Sequence, residues 1–276
     1  MQIRVGHTPS ADDAFMFWAL VSGRLDGYGF EVEPVAADIE TLNRWALQGW
    51  LELTGVSLHA YPFVQDRYVL LAHGASIGSG CGPVLVSRRP LSRAELRRGT
   101  IAVPGRTTTS MLVLRMYLEG DFRFRELPAG RILDEVKSGR ADAGLVIDER
   151  LLTYGEQGLV KSLDLGEWWL LETGLPLPLT VNVARRDLGP ALLGELSDAV
   201  RDSILAGLQN RRRAMAYAMR FGRSSDASIT ARFVGMYVNE LSFDFGDEGR
   251  QAIEELLRRA ERIGAFRRPV RIEFAA

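Results

Sequence analysis

The sequence predicts an α/β protein of two lobes. Three observations carry that prediction. Strand-like and helix-like patterns alternate from the first residues onward, the signature of a mostly parallel sheet. Two segments of the same shape, GSGCGPVLVSRRP at 78–90 and GLPLPLTVNVARRDLG at 174–189, each run from a turn-rich stretch through an apolar strand to an Arg-Arg pair. Between them lies what reads as a complete second α/β unit. Two matched crossing segments around an inserted unit suggest a hinge between lobes, although two ordinary strands of one domain would leave the same pattern. On the hinge reading, residues 1–87 with 182–276 form the first lobe and 88–181 the second, joined by Pro83–Ser87 and Leu179–Ala184.

The elements follow from local chemistry. Gln2–Gly6 reads as a short strand and Asp12–Ser22 as a helix, with Phe15, Trp18 and Ala19 on one face, Ser10 or Asp12 able to cap it and Gly23 to stop it. Phe30–Val35 is a second strand. Asp38 opens a helix that runs to Gln48 and closes on Gly49, and Leu51–Leu58 and Tyr68–Leu71 supply further strands. The inserted unit holds a strand at Thr100–Val103, helices from about Thr108 to Glu119 and from about Ile132 to Ser138, and a strand ending at Ile147. From Pro190 to Phe266 the chain is largely helical, with Leu192, Leu196, Val200 and Ile204 recurring at helical spacing. The run Arg211-Arg212-Arg213 reads as a solvated helix face.

Composition removes several function classes. With 34 basic against 35 acidic residues, the net charge of −1 gives no positive field to draw nucleic acid or an anionic membrane. No window approaches 18 uninterrupted apolar residues and no secretory signal opens the chain, so a cytoplasmic protein is expected. Cys81 is the one cysteine, which excludes an internal disulfide, and the three histidines, His7, His59 and His73, show no zinc-ligand spacing. No metal and no cofactor is expected. The partner is a small molecule, and the chain is expected to be a monomer or homodimer.

Chemistry is expected at strand-to-helix turns. In VPGRTTTSMLVL a strand ends at Val103, Pro104-Gly105 turn the chain, and Thr107, Thr108, Thr109 and Ser110 open a helix. Unpaired N–H groups and the partial positive charge of a helix start bind carboxylates, hydroxyls add donors, and Arg106 can add charge. One threonine suffices as a cap; three and a serine exceed that need. GHTPSADDAF is built the same way, with His7 at the strand end and Thr8, Ser10, Asp12 and Asp13 crowding the helix start, where at least one aspartate is expected to serve as a cap and Ser10 as a substrate contact. TGVSLHAY places Thr54, Ser57 and His59 near another strand end. In GLVIDERLLTY an apolar strand stops abruptly at Asp148, and either a catalytic carboxylate or an ion pair with Arg150 would account for it.

The segments TPSADDAFMFWAL, DIETLNRWALQG, DRYVLL, VPGRTTTS, GLVIDERLLTYGEQGLVKSLDLGEWWLLETGLPLPL, ARRDLG and YVNELSFD resemble the 1,4-dihydroxy-6-naphthoate synthases of the futalosine menaquinone pathway. The resemblance runs nearly end to end. It implies a periplasmic-binding-protein type II fold with two crossover strands. It also implies a cofactor-independent lyase that converts cyclic dehypoxanthine futalosine to 1,4-dihydroxy-6-naphthoate and dihydroxyacetone. The family's substrate-binding segments fall on Gly55, Val56 and Ser57 and on Thr108 and Thr109. Its proton-accepting histidine sits in a strand-end motif I-H-E, and here that position is Asp148. The resemblance thus makes Asp148 the expected base, with His59 or His7 as substitutes. The alternative is a non-catalytic binding protein for an aromatic carboxylate on the same fold.

Overall fold

The computed structural model of the chain describes residues 1–275. The first lobe begins β1 (Gln2–His7), α1 (Ala11–Val21), β2 (Glu31–Ala36), α2 (Ile39–Gln48), β3 (Leu53–Ser57), α3 (Tyr61–Val64), β4 (Tyr68–Leu70) and β5 (Ser76–Gly78). The second lobe follows as β6 (Val84–Ser87), α4 (Arg93–Arg98), β7 (Thr100–Val103), α5 (Thr109–Leu118), β8 (Arg123–Glu126), α6 (Ile132–Lys137), β9 (Ala143–Val146), β10 (Val160–Asp164) and α7 (Leu165–Thr173). The chain returns through β11 (Leu177–Arg185) and ends in α8 (Pro190–Gln209), α9 (Arg211–Ala218), α10 (Ala227–Tyr237), α11 (Glu240–Phe243) and α12 (Gly246–Arg262).

Each lobe has its own sheet. The first runs β2-β1-β3-β11-β4, with β5 also on β11; the second runs β10-β6-β9-β7-β8. β1, β2 and β3 are mutually parallel, as are β7, β8 and β9, while β11 and β6 run antiparallel to their neighbours. This membership moves both crossings away from residues 87 and 182. Val84–Ser87 pair with β9 and β10, so they belong to the second lobe, and all of β11 from Leu177 belongs to the first. The physical reason is strand pairing: each apolar run adds to the sheet it enters, and the turn before it makes the crossing.

Local chemistry accounts for the elements that position the site. Asp38 caps α2 by accepting from the Thr41 N–H at 3.0 Å, and Gly49 ends it at φ 71°, a backbone conformation that favours glycine. α1 is buried on all sides from Ala11 to Leu20, because it lies between the first sheet and helices α8, α9 and α10. That is the expected place for a helix that is apolar all round. The carboxyl ends of β1, β3, β7 and β9 converge, which is where open α/β sheets hold ligands.

Candidate active site

A cavity of about 730 Å³ occupies this convergence. It is lined by Thr8, Ser10, Asp12 and Asp13 after β1, Ser57 at the end of β3, Thr108–Ser110 after β7, and Ile147–Glu149 after β9. Phe233 and Tyr237 of α10 close it, with Arg223 from the connection between α9 and α10.

The end formed by α5 presents N–H groups. Thr108 is the N-cap: its hydroxyl accepts from Met111 N–H at 3.2 Å and donates to Gly105 O at 2.9 Å. Thr109 Oγ1 donates to Leu179 O at 2.6 Å and accepts from the His59 N–H at 3.2 Å. Both threonine hydroxyl protons are therefore taken, a correction to their expected use on a ligand. No acidic residue stands in the first turn of α5, and among the described residues no side chain accepts from the N–H of Thr109 or Ser110. Ser57 adds a free donor. Its oxygen accepts from Asn43 Nδ2 at 3.1 Å, and its own proton has no acceptor among the described residues.

α2 ties this end to the first lobe. Glu40 accepts from Thr107 N–H at 3.1 Å and from its hydroxyl at 2.8 Å, and Asn43 Nδ2 reaches Thr107 Oγ1 at 3.1 Å. A side chain at Gly105 would place its Cβ 2.3 Å from Glu40 Oε2, so the close approach needs a glycine there.

The opposite end, where α1 starts, is crowded with carboxyls. Ser10 is the N-cap but its side chain caps nothing. Asp13 Oδ2 instead accepts from Thr8 N–H at 2.8 Å and Thr8 Oγ1 at 2.7 Å, while Asp12 accepts from Ser10 Oγ at 2.5 Å and Ser76 Oγ at 2.9 Å. Burial, then the neighbouring Asp12, pushes Asp13 up to about 7 against the hydrogen bonds from Thr8. Glu149 reaches over from the second lobe, and its Oε1 accepts from Ala11 N–H at 3.2 Å. Its Oε2 is buried without a partner, and burial, with Asp148 and Asp12 nearby, raises its titration.

Asp148 lines the cavity at the end of β9, as the strand pattern placed it. It is bound at two points by Arg150: Nε meets Oδ1 at 2.8 Å and Nη2 meets Oδ2, with both side chains mostly buried. The ion pair that competed with the catalytic role in the sequence is present.

The other expected residues lie outside the lining. His7 is buried against Phe17 and Phe221, with Nδ1 3.0 Å from Thr8 O, and burial lowers its pKa. His59 sits behind α5 against Phe63 and Phe266, and burial drives it down to about 4, against its contact with Thr108 O. Gly55 and Val56 are interior to β3. Arg106 points outward, paired with Glu126 at 3.1 Å and stacked over Phe124. Among the described residues no three His, Cys, Asp or Glu side chains converge as metal ligands.

The residues that the sequence did not single out are Glu149, Glu40 and Asn43, and Asp13 beyond its use as a cap. One signal was available: a helix start needs at most one capping carboxylate, and SADDAF supplies two.

Menaquinone biosynthesis is the description of the protein family that matches residues 3–262. A protein of Thermus thermophilus named "1,4-dihydroxy-6-naphtoate synthase" is 44% identical over 262 residues, 95% of each chain. One of the same name from Streptomyces coelicolor is 37% identical over 267 residues, 95% of this chain and 94% of that one. A crystal structure from Archaeoglobus fulgidus superposes with a TM-score of 0.91 at 43% identity, covering 96% of this chain and 98% of its own. The alkanesulfonate-binding protein of Xanthomonas axonopodis, at 12% identity and a TM-score of 0.70 over 99% of this chain and 96% of its own, shares the fold.

Proposed function

The chain belongs to the menaquinone biosynthesis family and is an enzyme of that pathway, and from that premise we propose that it is a carbon–carbon lyase. It converts cyclic dehypoxanthine futalosine to 1,4-dihydroxy-6-naphthoate and dihydroxyacetone in the cytoplasm, with no metal or organic cofactor. The relatives' shared name supports the product. The observation that carries the chemistry is the polarity of the cavity, with open N–H groups and the Ser57 hydroxyl at one end and carboxyls at the other. Its volume suits a ligand of this size.

In this reading the substrate carboxylate sits at the start of α5, against the Thr109 and Ser110 N–H groups and Ser57. The ring system lies along the cavity, and the three-carbon portion points toward α1. One carbon–carbon bond breaks as the second ring becomes aromatic; a proton taken from the substrate returns to the departing fragment. The products together are isomeric with the substrate, so an acid–base group suffices and no oxidant or water is consumed. Asp148 stands at the place of the family's histidine but is engaged by Arg150. Incubating the protein with the cyclic substrate and following both products by mass tests the reading. Substrate recovered bound and unchanged would instead make the chain a binding protein.

A further inference from the structure

We propose that Asp13 is the proton-transferring residue of this cavity, and that it shares one proton with Asp12 through the hydroxyls of Thr8 and Ser10. The proposal rests on the lyase reading for its substrate, but the shared proton stands on geometry alone. Asp13 Oδ2 lies 2.7 Å from Thr8 Oγ1, Thr8 Oγ1 lies 2.6 Å from Ser10 Oγ, and Ser10 Oγ lies 2.5 Å from Asp12 Oδ1. Three hydrogen-bond contacts need three hydrogens. The two hydroxyls supply two, so the third sits on a carboxyl. Two carboxylates this close do not both ionise readily, the logic of any carboxyl pair that shares a site.

The chain has one open end. Asp13 Oδ1 takes no hydrogen bond among the described residues, and Asp13 lines the cavity. Asp12 is closed at both oxygens, by Ser10 and Ser76. The charged and titratable groups around the pair are Glu149 and the Asp148–Arg150 pair from the second lobe, Arg223 from the connection before α10, Tyr237 of α10, and His7 behind Thr8. Asp13 at about 7 is matched to proton transfer near neutral pH. Its ionised Oδ1 takes the substrate proton as the carbon–carbon bond breaks, and the same carboxyl, now neutral, returns it to the three-carbon fragment.

An infrared titration of the ligand-free protein tests the pair directly. A carboxylic acid C=O band should disappear around neutral pH, be absent in Asp13→Asn, and persist in Glu149→Gln. Asp12→Asn removes the repulsion and should move the titration to lower pH; Thr8→Val removes a hydrogen bond to the ionised form and should move it higher. A neutral-pH band that survives Asp13→Asn, or a titration unmoved by Asp12→Asn, overturns the proposal. With the cyclic substrate, Asp13→Asn should lower kcat by on the order of 100-fold or more and leave product Kd unchanged. The pH limb of kcat/KM should follow the infrared shifts in Asp12→Asn and Thr8→Val, which a merely structural role would not produce. Wild-type turnover in Asp13→Asn also overturns it. If the wild type makes no naphthoate, the lyase reading fails, and the titration still decides whether the proton is shared.

Discussion

Helices α1 and α5 both follow a strand that pairs in parallel with its neighbours, and both point their N-terminal ends into one cavity, yet they are furnished in opposite ways. α1 starts with Asp12 and Asp13 and takes Glu149 on its Ala11 N–H. α5 starts with hydroxyls and has no acid in its first turn. Each helix start carries the same partial positive charge. Where the protein supplies its own carboxylates, that charge is already answered and the end can handle protons. Where it supplies none, the charge is left for a ligand. A strand-to-helix turn is therefore a site of either kind, and the residues of the first turn decide which.

The largest effect that breaks this contrast is chemical. Asp13→Asn should lower turnover by on the order of 100- to 10,000-fold with product affinity intact, measured by single-turnover kinetics and calorimetry. Making α5 resemble α1 is the reciprocal test. Ser110→Asp puts a carboxylate where the ligand's carboxylate belongs and should weaken product binding by about 10- to 100-fold, the scale of losing hydrogen bonds to a charged group. Ser57→Ala removes one donor and should cost about 10-fold in the same assay. Thr108→Val should affect affinity less than Ser57→Ala, because its hydroxyl serves the helix; the loss appears as about 1 kcal/mol of stability.

A thermodynamic signature separates the two ends as well. Asp13 titrates at about 7 in the folded chain against an ordinary 3.8. Between those values the folded state binds more protons than the unfolded one, so stability falls as pH rises through that window and stays reduced above it. Asp13→Asn removes this dependence. Its melting temperature should gain on the wild type between pH 5 and pH 8, and equal pH profiles would contradict the assignment.

Much of this was legible in the sequence. The α/β alternation, the Asp38 and Gly49 boundaries of α2, the helix start at Thr108 and the strand-end position of Asp148 follow from local chemistry, because caps and apolar runs are short-range signals. What escaped depends on partners distant in the chain. The hydroxyl of Thr109 turns to Leu179 O, Arg106 turns to Glu126, and Glu149 crosses to Ala11, none of which a linear pattern reveals. Asp148 shows the limit within two residues: both its roles were visible, and only side-chain geometry shows that Arg150 holds it. Val84–Ser87 read correctly as a strand, but the choice of sheet is a pairing decision made by β9 and β10.

The most direct measurement is the rate of naphthoate formation from cyclic dehypoxanthine futalosine as pH is raised, for the wild type and Asp13→Asn side by side. The account predicts a wild-type rate that climbs through about pH 7, as Asp13 ionises, and then levels, with Asp13→Asn at least about 100-fold lower throughout. A wild-type rate flat across neutral pH and matched by Asp13→Asn would contradict it.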